Sequence, residues 1–367
     1  MKIIRNVTLS LFFSSIGPLA LAQEVPASGP RFTVTVFDNA SHANLAVGSI
    51  SAMGQIYGTG VLDGVSMVYA TAGNQLTVAP KAGVSNLVFA SNAAGDSLIR
   101  SAGSNGNALV QIMSGGVATS LNIAGQTTWS GMMNAAGQVA FNAGFGSHAT
   151  FDYTTKAYLY DPQTGIRALG TLGGRDSYVT GINDHGVVVG SSAMAPTPGG
   201  AQGFMYKDGV MSSATGWGGY QSTISGINNA GQMVGHVTRD WGPDQSHGFL
   251  KTDGNTAFLK SISTPIGVDG LGQVLGANAM FYSNGVTYSL ESLVQGETGW
   301  NYQAVGGINE AGQISARRCQ SLICEIVRLD PVSAVPEPQT YAMLLGGMAL
   351  LGFVGRRRRQ RPCDAVS

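Results

Sequence analysis

Residues 182–190 read Ile-Asn-Asp-His-Gly-Val-Val-Val-Gly, and residues 227–235 read Ile-Asn-Asn-Ala-Gly-Gln-Met-Val-Gly. Both stretches contain an apolar residue, an Asn, two variable residues, a Gly and an apolar run. Asn and Gly suit a tight turn, because Gly adopts positive φ at no steric cost and Asn hydrogen-bonds its own backbone two residues on. Each stretch therefore predicts a β-hairpin, with one strand on each side of the turn.

The pattern recurs along most of the chain. Further copies lie at residues 133–140, 268–276 and 308–316, and looser ones at 51–58 and 91–99. The marker glycines of the seven copies are Gly54, Gly95, Gly137, Gly186, Gly231, Gly272 and Gly312. They are 41, 42, 49, 45, 41 and 40 residues apart. A period near 40 to 45 residues is that of one four-stranded propeller blade.

A second hairpin follows the first in several units, with turns at Asp208-Gly209, Asp253-Gly254 and Asn284-Gly285. Asp-Gly and Asn-Gly between apolar runs are strong two-residue hairpin signals. Two hairpins give four strands per unit, so the sequence predicts an all-β protein with a seven-bladed β-propeller. An extra strand at residues 32–37 is expected to close the ring near residues 323–329. A β-solenoid is the alternative, although its rungs are normally shorter than 40 residues.

Residues 1–22 are typical of a secretory signal peptide. Lys2 and Arg5 supply positive charge, residues 7–16 form a short apolar core, and Ala20-Leu21-Ala22 provides small residues before a cleavage point. Signal peptidase is therefore an expected partner. The expected division of the chain is a signal peptide at 1–22, a repeat domain at 23–330, a linker at 331–340, and a transmembrane segment with a sorting tail at 341–367.

The C-terminal region combines a Pro-Glu-Pro motif, an apolar run at residues 341–354 and an arginine cluster. The apolar run is shorter than the roughly 20 residues of a typical membrane span. Its cationic end nevertheless favours transient insertion in the inner membrane with the arginines on the cytoplasmic side. A plain single-pass anchor is the alternative. The residues expected to form the signal are Val335, Pro336, Glu337, Pro338, Arg356, Arg357, Arg358 and Arg359.

These tail residues resemble the PEP-CTERM sorting signal, which Gram-negative bacteria use together with a membrane protease, exosortase. The resemblance implies exosortase as a partner, removal of the tail, and a final location at the cell surface or outside the cell. It also implies an association with exopolysaccharide and biofilm.

The repeats carry a second resemblance. Residues 169–174 read Leu-Gly-Thr-Leu-Gly-Gly, Thr-Gly-Ile-Asn begins at Thr180, and His-Gly-Phe-Leu begins at His247. Residues 169–276 thereby resemble the HAF family of extracellular repeats. This family implies export and a repeated β fold, and it supplies no defined activity.

Charge excludes one class of partner. Of 20 basic and 20 acidic residues, seven basic and two acidic ones lie in the terminal signals, which leaves 13 basic against 18 acidic. The mildly acidic domain has no basic stripe to neutralise phosphates, so nucleic acid is not expected as a partner.

The repeat domain contains two cysteines, Cys319 and Cys324, which are five residues apart. In an oxidising compartment such a pair can close a disulfide across a hairpin, and two free thiols are the alternative. No metal site is expected there, because no His or further Cys lies nearby to complete four ligands.

Binding residues are sought where the repeats differ, because loops on a rigid scaffold concentrate function. Two insertions join the second and third strands of their blades, and both combine carboxylates with aromatic rings, which suits the recognition of sugars. The candidate ligand-binding residues are Asp152, Tyr153, Asp240, Trp241 and Asp244.

The chain lacks the sequence motifs of the common serine hydrolase, zinc protease, phosphate-binding and EF-hand sites. No catalytic residue and no cofactor are therefore expected. The favoured interpretation is a non-enzymatic exported propeller that binds at the surface or in the matrix, with extracellular polysaccharide as a partner. The alternative is a glycan-active hydrolase or lyase on the same scaffold.

Overall fold

A computed structural model describes residues 30–37, 45–62, 65–73, 75–80, 86–102, 108–145, 154–195, 200–216, 221–238, 246–296 and 298–332. These residues form 28 strands and one short helix, α1 Leu290–Leu293. The predicted signal peptide, the sorting tail and the two aromatic insertions lie outside the described residues. Within the part that is described, no helix has the length and hydrophobicity that a membrane span requires.

The strands are β1 Phe32–Val36, β2 Leu45–Ala46, β3 Tyr57–Leu62, β4 Val65–Ala72, β5 Gln75–Pro80, β6 Asn86–Ser91, β7 Ser97–Ala102, β8 Ala108–Ser114, β9 Val117–Ser120, β10 Thr127–Met133, β11 Val139–Phe145, β12 Thr154–Asp161, β13 Gly165–Ala168, β14 Gly173–Ile182, β15 Val188–Met194, β16 Ala201–Lys207, β17 Val210–Ser213, β18 Gln221–Ile227, β19 Met233–Thr238, β20 Ser246–Thr252, β21 Asn255–Phe258, β22 Pro265–Val268, β23 Val274–Gly276, β24 Met280–Ser283, β25 Val286–Ser289, β26 Asn301–Ile308, β27 Ile314–Gln320 and β28 Ile323–Pro331.

The strands form seven four-stranded antiparallel sheets, so the predicted seven-bladed propeller is confirmed. Blades 1 to 6 each contain four consecutive strands, beginning with β2, β6, β10, β14, β18 and β22. Blade 7 has the order β1-β28-β27-β26, so the first strand of the chain completes the last blade. The register pairs Phe32 with Pro331 and Val36 with Val327, beside the segment that the sequence indicates.

Apolar side chains fill the spaces between neighbouring blades. One cluster joins Leu159 of blade 3 to Val188 and Phe204 of blade 4, and the next joins Val189 of blade 4 to Phe249 of blade 5. Phe204 and Phe249 are fully buried and lie at matching positions in the third strands of their blades. A sheet with two buried faces needs a neighbour on each side, which explains why the repeats close into a ring.

A bulge in the innermost strand explains the glycine that ends the apolar triplet in blades 4 and 5. In blade 5 the pairing of β18 with β19 shifts between Ile224 and Gly226. The shift brings the carbonyl oxygen of Thr223 to 2.0 Å from the position that a Cβ at Gly235 would occupy. Blade 4 repeats this arrangement at Gly190, where the corresponding distance, to the Tyr178 oxygen, is 1.9 Å. Larger residues are therefore excluded there by the backbone.

Candidate functional site

The innermost strands line a central channel with a cavity of about 370 Å³. Its wall consists mainly of small and apolar residues. These include Gly131, Met132, Gly181, Ile182, Gly226, Ile227, Ile266, Gly267, Gly307 and Ile308. Such a wall offers few groups for acid–base chemistry, so polar chemistry is concentrated where the channel opens.

The turns between the first and second strands surround one mouth of this channel, and their Asn residues have the local role that the sequence predicts. In Asn183 the side-chain oxygen accepts hydrogen bonds from the backbone N–H groups of His185 and Val187, at 3.1 and 3.0 Å. Asn134, Asn228 and Asn309 accept the equivalent bond from the residue four positions on, at 2.8 to 2.9 Å. These side chains hold the turns in one conformation.

The same Asn side chains also join neighbouring blades, which sequence reasoning missed. The side-chain nitrogen of Asn134 donates to the carbonyl oxygen of Asn183 at 3.0 Å, and Asn183 donates in turn to Asn228 at 3.1 Å. Asn228 donates to the backbone carbonyl oxygen of Asp269 at 2.7 Å, and Asn309 donates to that of Ser51 at 2.9 Å. We call these contacts the inter-blade clasps. They link turns that are 41 to 258 residues apart in sequence.

In blades 1, 3, 4, 5 and 7 the residue that follows the first residue of the turn lines the channel mouth, and here the repeats differ. Blades 1 and 3 carry Ala52 and Ala135, whereas blades 4, 5 and 7 carry Asp184, Asn229 and Glu310. The mouth is therefore polar on one side and small and apolar on the other. A comparison of the repeats at this one variable position is the sequence signal that would have found these residues.

Asn229 connects the two carboxylates. Its side-chain nitrogen donates to Asp184 Oδ2 at 2.7 Å, and its backbone N–H donates to Glu310 Oε1 at 3.1 Å. The backbone N–H of Asp184 in turn donates to Asn229 Oδ1 at 2.8 Å. Because both carboxylates contact one Asn, they lie within about 10 Å of each other, the upper end of the separation found in glycoside hydrolases.

A glycine in the first turn of blade 6, Gly270, leaves space for the neighbouring turn that carries Glu310. The backbone N–H of Gly270 donates to the Glu310 carbonyl at 3.0 Å, and a Cβ at residue 270 would lie 2.9 Å from that oxygen. A larger residue at this turn would push the blade 7 turn away from the mouth. Gly270 therefore allows a carboxylate of blade 7 to reach Asn229 of blade 5.

The surroundings of Glu310 raise the pKa of its carboxyl. Partial burial has the largest effect, the negative charge of Asp184 adds to it, and the N–H of Asn229 acts in the opposite direction. Burial also raises the pKa of the neighbouring Asp269 to about 6, against an ordinary value of 3.8. Groups with such shifts, placed together in a cleft, are typical of acid–base sites.

The two cysteines lie away from the channel, on the hairpin between β27 and β28. Cys319 and Cys324 are directly opposite each other in the register and are joined by a disulfide. The adjacent Arg318 is buried, forms an ion pair with Glu325 at 2.8 Å, and lies 4.2 Å from the ring centre of Trp300. This cluster stabilises the hairpin that receives β1.

The loop residues predicted to bind a ligand, Asp152, Tyr153, Asp240, Trp241 and Asp244, are outside the part of the chain that the structure describes. Their loops follow the second strands β11 and β19, at the opposite strand ends from the first turn of each blade. Their role stays a prediction. Among the described residues, no group of three His, Cys, Asp or Glu side chains is arranged to hold a metal ion.

Comparison with known proteins identifies the tail. Residues 334–359 match the PEP-CTERM protein-sorting motif. The motif indicates an exported protein that passes through a membrane and is processed by exosortase. No curated protein matches the chain as a whole.

Solved structures with the same architecture include a puromycin-hydrolysing peptidase of Mycobacterium tuberculosis, at 12% identity and a TM-score of 0.52. The match covers 85% of this chain, and the chain spans 58% of the length of that peptidase. The β-propeller domain of the trilobed protease from Pyrococcus furiosus matches at 7% identity and a TM-score of 0.51, over 79% of this chain and 94% of the domain. At these identities the likeness shows a shared propeller fold.

These structures correct the favoured interpretation of the sequence, a non-enzymatic binding scaffold. Both of these propellers belong to hydrolytic enzymes, which contradicts that expectation. The hydrolytic alternative agrees better with them. The chain is thus an exported, PEP-CTERM-tailed seven-bladed propeller whose fold is shared with peptidases.

Proposed function

We propose that this chain is an exported hydrolase that cleaves an extracellular polysaccharide at the polar mouth of its channel. The observation that carries the proposal is the Asp184–Asn229–Glu310 arrangement, in which one amide residue holds two carboxylates of different blades. Hydrolysis of a glycosidic bond needs one carboxylic acid and one carboxylate on opposite sides of the bond. The two solved propellers belong to a peptidase and a protease, so they support hydrolysis in general, and the sugar substrate is proposed from the carboxylate pair alone.

The two carboxyl groups have different environments and therefore different roles. Glu310, whose pKa is raised by burial and by Asp184, is the proposed general acid that protonates the leaving oxygen. Asp184 accepts hydrogen bonds from the Ala135 N–H at 2.8 Å and from the side-chain nitrogen of Asn229 at 2.7 Å. It is the proposed base or stabilising carboxylate. Asn229 positions both groups.

Export supplies the context for such a substrate. We propose that the signal peptide at residues 1–22 is removed by signal peptidase, and that the domain at 23–330 reaches the cell surface or the medium of a Gram-negative bacterium after exosortase processing. The HAF-type repeats at residues 169–276 and an association with exopolysaccharide or biofilm belong to the same proposal. The loop residues, such as Trp241 and Asp244, are proposed to contact sugar.

The test measures new reducing ends when the full chain is incubated with a panel of bacterial exopolysaccharides. Glu310→Gln and Asp184→Asn keep the side-chain shape and remove the proton chemistry, so each is expected to lower the rate by about 10²- to 10⁴-fold. Asp253→Asn is the matched control, because Asp253 is exposed in an outer turn at φ 43°, which Asn also adopts easily. Cleavage that survives both site substitutions, or no cleavage of any polysaccharide, would refute the proposal.

A further inference from the structure

In every inter-blade clasp that the structure describes, the donor is a side-chain amide. Blade 6 has a carboxyl group at the same position. Asp269 stands where blades 2, 3, 4, 5 and 7 have Asn. Its Oδ1 atom accepts the backbone N–H groups of Leu271 and Gln273 at 3.0 and 2.8 Å, as the Asn oxygens do in their turns. Its carbonyl accepts the clasp from Asn228. Asp269 therefore occupies the Asn position in every respect except the donor.

The second carboxyl oxygen of Asp269 lies where that donor would be. The residue is 1% exposed, and Oδ2 is buried without a hydrogen-bond partner among the described residues. Oδ2 faces blade 7, because a Cβ at Gly312 would lie 3.1 Å from it. Gly312 belongs to the turn that Asn309 opens, and its N–H donates to the Asn309 carbonyl at 3.0 Å. In blade 4 the equivalent carbonyl, of Asn183, accepts both its own turn N–H and the clasp.

We infer that Asp269 carries a proton on Oδ2 in the folded protein and donates it to the carbonyl oxygen of Asn309, so that the clasp between blades 6 and 7 opens when this proton is lost. An ionised carboxylate would place a buried negative charge against a carbonyl dipole, and neither Asp269 Oδ2 nor the second lone pair of the Asn309 carbonyl would receive a hydrogen bond from the other. A protonated carboxyl has the O–H that the position requires. The amide clasps of the other blades cannot be lost in this way.

The charges around Asp269 favour the protonated form. Burial raises its pKa to about 6, and the carboxylate of Glu310 in the facing turn of blade 7 acts in the same direction. Beyond Gly312 and Pro331, Asp330 is paired with Arg328 at 2.8 Å and bound by Gln313 at 2.7 Å. From the blade 5 side, Gln232 lies against Gly272 and is neutral.

The direction of the pH effect follows from the raised pKa. The folded state holds a proton that the unfolded chain releases near its ordinary value of 3.8. The stabilisation is therefore complete below pH 3.8 and is lost as the pH rises through about 6. Two pKa units correspond to about a 100-fold change in the folding equilibrium constant. Glu310 contributes in the same direction and has to be separated by substitution.

The experiment compares urea unfolding of the full chain with that of Asp269→Asn from pH 4 to pH 8, both with Glu310→Gln in the background. Asp269→Asn supplies a permanent amide donor at a position where five blades already have an Asn. Between pH 4 and pH 7, the folding equilibrium constant of the parent should fall about 100-fold more than that of Asp269→Asn. The variant should also be more stable than the parent at pH 8. Asp253→Asn should leave the pH dependence unchanged.

A direct readout is the infrared carbonyl band of protonated carboxylic acids at pH 5, which should be stronger in the parent than in Asp269→Asn by about the intensity of one buried carboxyl. Equal pH dependence in both proteins, or an Asn variant that is less stable at pH 8, would overturn the inference. Failure of Asp269→Asn to fold would overturn it as well, since the position is inferred to accept an amide. Loss of enzymatic activity does not enter this test, so it stands apart from the proposed function.

Discussion

Replacement of Asn183 by Ala measures how strongly one clasp and its turn stabilise the ring. Asn183 is 4% exposed, and its side chain makes three hydrogen bonds, two as acceptor in its own turn and one as donor to the Asn228 carbonyl. A hydrogen bond contributes about 1 kcal/mol net, and a buried group left without a partner costs about 1–3 kcal/mol. We therefore expect Asn183→Ala to lower the free energy of unfolding by about 3 kcal/mol.

The assay is equilibrium unfolding in urea, followed by the near-ultraviolet circular dichroism of the buried aromatic residues. Asn255→Ala is the matched control, because Asn255 is exposed at the start of an outer strand, where such changes usually stay within about 0.5 kcal/mol. Asn183→Asp keeps the acceptor oxygen and loses the donor, so its stability should fall at pH 7 and recover on acidification. If Asn183→Ala costs no more than the control, the clasps do not hold the blades together.

Three further predictions concern the backbone, the disulfide and the core. Gly235→Ala should destabilise the protein by more than about 3 kcal/mol in urea unfolding, because a carbonyl oxygen lies 2.0 Å from the new Cβ. Gly226→Ala should be tolerated, because the nearest atom to its new Cβ lies at 3.6 Å. Equal effects of the two substitutions would contradict the bulge explanation. Double substitution of Cys319 and Cys324 by Ser should lower the free energy of unfolding by about 2 kcal/mol, the chain entropy lost on closing so short a loop. In reductant, the thermal midpoint of the wild type should fall to that of the double variant. An unchanged midpoint would argue against a stabilising disulfide. Phe249→Ala should cost about 3–5 kcal/mol because the ring is fully buried between blades 4 and 5, and a calorimetric loss below about 1 kcal/mol would show that the interface collapses around the gap.

Local chemistry explains why so much of the fold is predictable. Turn signals such as Asp208-Gly209 depend on a few residues, and both members of this pair have positive φ, at 51° and 84°. The 40- to 49-residue spacing of the marker glycines then sets the number of blades. Closure by residues 32–36 is also predictable, because a strand with no partner in its own unit must pair at the open edge of another.

The candidate site was not predictable by the same means. The aromatic insertions attracted attention because they interrupt the repeat, whereas Asp184, Asn229 and Glu310 occupy an ordinary position within it. Glu310 contacts Asn229 across 81 residues, and no short-range pattern reports such a pairing. The contact requires both the curvature of the ring and the missing side chain at Gly270.

The sequence by itself determined the sorting motif, the hairpins and the number of blades, because each depends on residues that are close together in the chain. Only the tertiary structure decided which turns face one another across the axis. Hydrogen bonds between blades depend on the radius and twist of the closed ring, and these arise from the packing of all seven sheets at once. The tertiary structure thereby places the Asp184 and Glu310 carboxylates on one Asn and leaves Asp269, at an Asn position, with a buried oxygen that faces the next blade.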